Sequence, residues 1–268
     1  MRYDERAPSK DLAPWVLCLW ELEGDGSAFT EPIFPDGRIE LVVHLGDRPR
    51  LRGDAGVQPR AMIVGQMLTA TRLECDGRMH AIGVRFTSNG ARAWLRLPLR
   101  QITSRIEDAH GVCGSAASCV RRAIEQGRGT DERLTAAEHA VRRALRPEDG
   151  AARAIAHAVR IVERHAGTVS IDALARACGL GPRQLERRFL DEVGVSPKAF
   201  ARIVRFQQAL RALRAGTPPA DVAAACGYAD QPHLAREFRR FAGTHAGEVN
   251  LGNVAFLQDT PGTATANS

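Results

Sequence analysis

Arg183, Glu186 and Arg187 stand in one polar stretch of this sequence, and Gln231, His233 and Arg236 stand in another like it. Arginine offers a rigid fork of donors, glutamine pairs a donor with an acceptor, and glutamate accepts only. Such groups recognise base edges and phosphates in place, and none of them is set up as a nucleophile beside a base. Spacings suited to bond-making chemistry are missing: there is no G-x-S-x-G, no H-E-x-x-H and no Gly-rich phosphate loop. Six cysteines, at 18, 75, 113, 119, 178 and 226, show no C-x-x-C spacing. They read as reduced, buried side chains, neither disulfides nor zinc ligands. His44 and His80 have no neighbouring His-x-His and Glu set, so no metal or other cofactor is expected.

The stretches that must position these side chains say nearly the same thing twice. The first copy is IDALARACGLGPRQLERRFLDEVG, residues 171–194, and the second is ADVAAACGYADQPHLAREFRRFAG, residues 220–243. Ala175 and Ala223, Cys178 and Cys226, and Gly179 and Gly227 are 48 positions apart, whereas Leu185 and Leu234, Arg187 and Arg236, and Phe189 and Phe238 are 49 apart. One supersecondary unit is therefore used twice, with one more residue in the second turn. In each copy a short alanine-rich helix (172–178, 220–226) ends at a glycine suited to a left-handed cap. A second helix then begins, at Pro182 in one copy and after Asp230 in the other. Leu185 with Phe189 and Leu234 with Phe238 make narrow apolar stripes, leaving the two polar groups outside. This is the pattern of a helix-turn-helix, whose second helix enters the major groove. Between the copies, residues 200–215 read as one helix, with Ile203, Val204, Phe206, Leu210 and Leu213 apolar and Arg202, Arg205, Arg211 and Arg214 outward. It would span about 24 Å and hold the two units toward successive major-groove faces, which recur about 34 Å apart.

On these residues, region 155–249 resembles the DNA-binding domain of the AraC/XylS family of bacterial transcription regulators. The likeness is carried by VSIDALARACGLGPRQLERRF, then GVSPKAFARIVRFQQAL, then ADVAAACGYADQPHLAREFRRFAG. It implies two helix-turn-helix motifs on a linker helix, with Arg183, Glu186, Arg187, Gln231, His233 and Arg236 facing the groove. The arginines there either read guanine edges or touch only phosphate, and Glu186 either reads a base or orients Arg187. Ser170 and Thr217 are candidates for helix caps or phosphate contacts. Cys178 and Cys226 close the short helices at equivalent places, which points to a limit on size. One departure stands out: Ala246 and Val249 stand where the family usually has a proline and an aromatic.

Ahead of the repeat the pattern changes. Residues 1–14 are polar and proline-punctuated and are expected to pack loosely. Short β-rich runs follow: WVLCLWELE, RIELVVHL after Pro35-Asp36-Gly37, AMIVGQML and HAIGVRF. Asp76-Gly77 is a hairpin candidate between residues 72–75 and 78–86. Helical periodicity takes over in GARAWLRL and in residues 115–126 and 131–146, and Pro147-Glu148-Asp149-Gly150 is a breaker. The expected fold is α+β. A β-rich sheet or small-barrel domain with trailing helices covers 1–147, an all-α domain of two helix-turn-helix motifs joined by a linker helix covers 151–250, and a disordered tail covers 251–268. Pro35-Asp36-Gly37, LVVHLG, VGQM and GVRF resemble a sensor-type domain found ahead of such DNA-binding domains. Trp15, Trp20, His44, His80 and Trp94 are its candidates for lining a ligand cavity, and each is also a candidate core aromatic or satisfied histidine.

Charge agrees with this division. Residues 151–252 hold 15 Lys+Arg against 9 Asp+Glu, while the rest of the chain holds 22 against 22. All of the net +6 therefore lies on the segment with the repeat, as a polyanion-binding domain or a solvated basic face would have it. An apolar content of 44% suits a soluble globular chain, no apolar run approaches 18 residues, and the start lacks a signal peptide, so the cytoplasm is expected. The resemblance implies a transcription regulator, not an enzyme, with double-stranded DNA as partner. It further implies RNA polymerase as partner if the chain activates, a small-molecule effector or other signal at the first half, and a homodimer. Two competing readings put an enzymatic, DNA repair-like module or a purely oligomerising one in the first half. The repair reading requires a cysteine tetrad that the spacing of Cys18, Cys75, Cys113 and Cys119 does not supply.

Overall fold

A computed structural model describes residues 1–53, 56–146 and 150–244. The first half builds strands β1 (Arg2–Arg6), β2 (Val16–Glu23), β3 (Phe29–Ile33), β4 (Glu40–His44), β5 (Arg50–Leu51), β6 (Ala61–Val64), β7 (Thr71–Cys75), β8 (His80–Phe86) and β9 (Ile106–Asp108). One antiparallel sheet has the order β1-β2-β8-β4-β6-β9, and a smaller sheet has the order β3-β7-β5. Four helices follow or interrupt the last strands: α1 (Ala91–Leu95), α2 (Ala109–Cys113), α3 (Ser115–Gln126) and α4 (Thr130–Ala144).

Side chains alternate across a strand, so the large sheet has two different faces. Leu19, Leu41, Val43, Ile82, Val84 and Phe86 pack on one side with Trp94, Val120, Ile124, Leu134 and Val141 from the helices. Cys18, Trp20, Leu22, Val42, Met62 and Ala81 point to the other side and meet Leu73 and Cys75 of the small sheet. The large sheet thus lies between a helical layer and the small sheet, which fulfils the expected β-rich domain with trailing helices.

Three local expectations are corrected. Residues 2–6 form an edge strand along β2, and Arg6 and Arg142 tie this segment to α4 through Glu138 and Asp11. Asp76-Gly77 is not a hairpin turn: β8 is already flanked by β2 and β4, so β7 pairs with β3 and β5 in the small sheet. Neither residue adopts the positive φ that a two-residue type I′ turn requires. Cys119, expected to be buried like the other cysteines, is exposed, because Ala117, Val120 and Ile124 define the inner face of α3.

The second half is helical among the described residues: α5 (Gly150–Arg164), α6 (Ile171–Ala177), α7 (Pro182–Val193), α8 (Pro197–Arg214), α9 (Pro219–Ala225) and α10 (Gln231–Ala242). The linker helix α8 starts three residues earlier than expected, because Ser196 caps it by accepting from the Ala199 N–H at 3.2 Å and Pro197 fills its first position. Its 18 residues span about 27 Å. One core gathers Ile155, Val159, Leu174, Leu185, Phe189 and Phe200. A second gathers Phe206, Leu210, Val222, Leu234, Phe238 and Phe241, and α8 runs through both. No helix among the described residues is long and apolar enough to cross a membrane. The boundary at Pro147, Glu148 and Asp149, the positions Ala246 and Val249 and the tail 251–268 lie outside the described residues.

Candidate nucleic-acid interface

The two copies of the repeat fold alike. After α6, the Gly179 N–H bonds to the Arg176 carbonyl and the Leu180 N–H to that of Ala175; after α9, Gly227 bonds to Ala224 and Tyr228 to Ala223. Gly179 and Gly227 have φ of 63° and 69°, a left-handed conformation that glycine takes without steric cost. Burial raises the pKa of both Cys178 and Cys226, which keeps these thiols protonated and unreactive. The additional residue of the second turn places Asp230, whose carboxylate caps α10 by accepting from the His233 N–H at 2.6 Å.

The side chains expected to face DNA stand on the first two turns of the second helices. On α7, Arg183, Glu186 and Arg187 are exposed while Leu185 and Phe189 are fully buried. On α10, Gln231 and Arg236 are exposed, over buried Leu234 and Phe238. His233 differs. Its Nδ1 accepts from the Ala229 N–H at 3.3 Å and its ring stands edge-on to Tyr228 at 5.4 Å, so an outside contact is left to Nε2. Ser170 caps α6 by accepting from the Ala173 N–H, whereas Thr217 caps nothing and its N–H closes the end of α8 on Ala212.

Two linker-helix arginines expected to point outward instead hold the second unit. Arg202 makes two hydrogen bonds to Glu237 on α10, one of them at 2.8 Å. Burial would raise the pKa of Glu237, but the Arg202 guanidinium more than offsets this and holds it low. Arg205 lies over the Tyr228 ring at 4.8 Å and donates to the Gly227 carbonyl at 3.4 Å. A long apolar-and-basic run cannot reveal such pairs, since their partners lie more than twenty residues away.

The first half grips both units at the ends of α7 and α10, away from these exposed side chains. At the end of α7, Thr103 donates to the Gly194 carbonyl, Arg92 pairs with Glu192 at 3.5 Å and Arg100 pairs with Asp191. At the end of α10, the Ala70 N–H donates to the Phe241 carbonyl at 2.8 Å. Between them the turn 34–38 sits on α8. Phe34 packs edge-on to Phe206 at 6.1 Å, the Pro35 carbonyl accepts from Gln207, and a Cβ on Gly37 would meet the Phe200 ring at 2.9 Å. Arg38 pairs with Glu163 of α5 at 3.0 Å. The sequence marks Pro35-Asp36-Gly37 as a turn and as part of the sensor-like pattern, and these contacts were not read from it, although the aromatic at 34 was visible.

Between the two sheets lies a cavity of about 70 Å³, lined by Trp20, Val42, His44, Met62, Leu73 and Met79 among others. Burial lowers the pKa of His44 to about 4, so the ring is neutral, and the pairing of Nε2 with Gln58 Oε1 at 3.1 Å gives Nε2 the hydrogen. Trp20 and His44 are thus brought to one cavity. The other three expected residues do not line it: Trp94 and Trp15 pack in the helix-side core, and His80 bonds Glu21 at 2.6 Å on that same outer side. Among the described residues, no three His, Cys, Asp or Glu side chains gather into a metal set.

Comparison with known proteins agrees with this layout. Residues 174–250 match a family described as a helix-turn-helix domain, and residues 4–108 match a domain of unknown function, DUF6597. The chain is similar to the HTH-type transcriptional activator RhaS of Escherichia coli O139:H28 (strain E24377A / ETEC), 30% identical over 97 residues, which are 36% of this chain and 35% of that protein. It is also similar to the HTH-type transcriptional regulator MtrA of Neisseria gonorrhoeae, 30% identical over 83 residues, which are 30% of this chain and 27% of that protein. The chain spans about a third of the length of these curated relatives. Among solved structures, a probable AraC family transcriptional regulator from Rhodopseudomonas palustris CGA009 shares 31% identity, with 34% of this chain and 93% of that chain covered and a TM-score of 0.30.

Proposed function

We propose that this chain, which belongs to the AraC/XylS family through its C-terminal helix-turn-helix domain, is a transcription regulator that binds double-stranded DNA in a sequence-specific way. The observation that carries this reading is the pairing of α7 and α10, two equivalent second helices with exposed donors on their first two turns, fixed to one linker helix. In this reading Arg183, Glu186, Arg187, Gln231 and Arg236 face the groove, with His233 through Nε2. Residues 1–147 form the controlling domain and 151–250 the DNA-binding domain. The chain works in the cytoplasm, carries out no reaction of its own, and acts on RNA polymerase where it activates. A homodimer is part of the same proposal.

Control follows from the grip on the far ends of α7 and α10. A signal that shifts the first domain on α8 changes how the two helices present themselves to one face of DNA. The test is a chemical footprint of the full chain on its own upstream region. Two protected patches in the major groove, about one helical turn apart on one face of the duplex, are expected. Protection of a single patch, or equal protection of unrelated DNA, would overturn the reading.

A further inference from the structure

We infer that the cavity between the two sheets takes a compact, uncharged, mostly apolar molecule, and that its occupancy reaches the linker helix through residues 34–38. This deepens the regulator reading above and rests on it for the consequence, though not for the binding.

The lining sets the class of ligand. Of the four methionines in the chain, Met62, Met67 and Met79 all line this cavity, together with Trp20, Phe34 and Ile106. Methionine is unbranched and polarisable, so a wall built from it re-forms around apolar guests and favours aromatic ones. The cavity, about 70 Å³, is roughly half the size of an apolar cavity of about 150 Å³ that holds benzene, so a single ring enters once the methionines move. Charge excludes ionic guests. Arg38 is committed to Glu163, and Arg85, just behind the lining, is committed to Glu40. His44 is neutral. Asp36 and Glu40 also line the space, so an anion would meet carboxylates with every described lining cation already paired, and a cation would have to displace one of those pairs.

The same residues set the route. Phe34, Asp36 and Arg38 line the cavity, and Phe34 and Arg38 simultaneously touch the second domain, at Phe206 and Glu163. A guest that displaces Phe34 inside the cavity must therefore disturb its packing on α8, because both contacts belong to one ring.

The experiment uses the full chain with toluene and p-cresol as neutral probes and benzoate as an anion of similar size. Two readouts are taken: the thermal unfolding midpoint, and amide exchange in residues 200–210. At about ten times the dissociation constant, a neutral probe is expected to raise the midpoint by roughly 3–5 °C. It is also expected to change exchange in α8, while benzoate does neither. Val64→Phe, which fills the cavity, removes both effects. Thr71→Met serves as the second filling variant should the first not fold. An equal shift with benzoate overturns the charge class, a shift that survives both variants overturns the location, and a shift with unchanged α8 exchange overturns the route. Absence of any shift overturns the site. DNA binding without probe is measured separately, so a chain that binds its DNA but takes no probe sinks this inference and leaves the regulator reading standing.

Discussion

Gln207 donates its side-chain amide to the carbonyl of Pro35 at 2.5 Å, with both groups buried. The two residues are 172 positions apart in sequence and sit in different halves of the molecule. Gln207 lies mid-way along the helix that joins the two helix-turn-helix units, so the first half holds the second at the point where both units are carried. A buried amide left without its partner costs about 1–3 kcal/mol, so separation of the halves here requires water or a new partner to replace this bond.

Phe34→Ala tests the weight of that contact. Phe34 is 2% exposed and packs into the core of the second unit. Truncating a buried phenylalanine costs about 3–5 kcal/mol. Urea unfolding is expected to show a loss of that order, with faster amide exchange in α8 than in β2 or β8. A loss confined to the strands, with α8 unaffected, would mean that the turn does not support the linker helix.

Arg202 and Glu237 should act as one unit. In a double-mutant cycle with Arg202→Ala and Glu237→Ala, each single change is expected to weaken DNA binding, and the pair to lose less than the sum. A coupling of about 0.5–3 kcal/mol is expected for contacting charges. Additive losses would mean that the pair does not set the position of α10.

His44 gives the stability a pH dependence whose sign is fixed. The unfolded ring takes up a proton near its ordinary value, whereas burial lowers the folded pKa to about 4. Between about 6.5 and 4 the unfolded chain binds more protons, so stability is full above this window and falls as pH drops through it. The fall amounts to about 3 kcal/mol. The difference between wild type and His44→Gln, read by urea midpoints at pH 7 and pH 4.5, is expected to shrink as the wild type loses this contribution. A pH-independent difference would contradict a neutral, buried His44.

How much of this was legible beforehand depends on the range of the interaction. The helices of the repeat were readable, because the caps at Ser170 and Asp230, the turn glycines and the apolar stripes at Leu185, Phe189, Leu234 and Phe238 are all local signals. Strands β2, β4, β6 and β8 were readable from their β-rich runs and β7 as an arm of the hairpin candidate, while β1, β3, β5 and β9 were not. Pairing was not, since Asp76-Gly77 looks like a hairpin turn yet β7 and β8 belong to different sheets. Period-two patterning places Val42 and His44 on one face of β4, but only the sheet order shows that Met62 and Met79 share their cavity. The arginines of α8 misled for a similar reason: an amphipathic pattern says which face is polar, and says nothing of Glu237 or Tyr228 waiting across it.

The most direct measurement is the affinity of the full chain for its own upstream DNA, at several salt concentrations, beside Arg187→Ala and Arg236→Ala. These arginines stand at equivalent places on α7 and α10, exposed on the turns proposed to face the groove. Each substitution is expected to cost about 1–3 kcal/mol and to reduce the preference for that DNA over unrelated sequence, with the wild type binding more weakly as salt rises. Affinity, sequence preference and salt slope all unchanged in both variants would contradict DNA reading by α7 and α10.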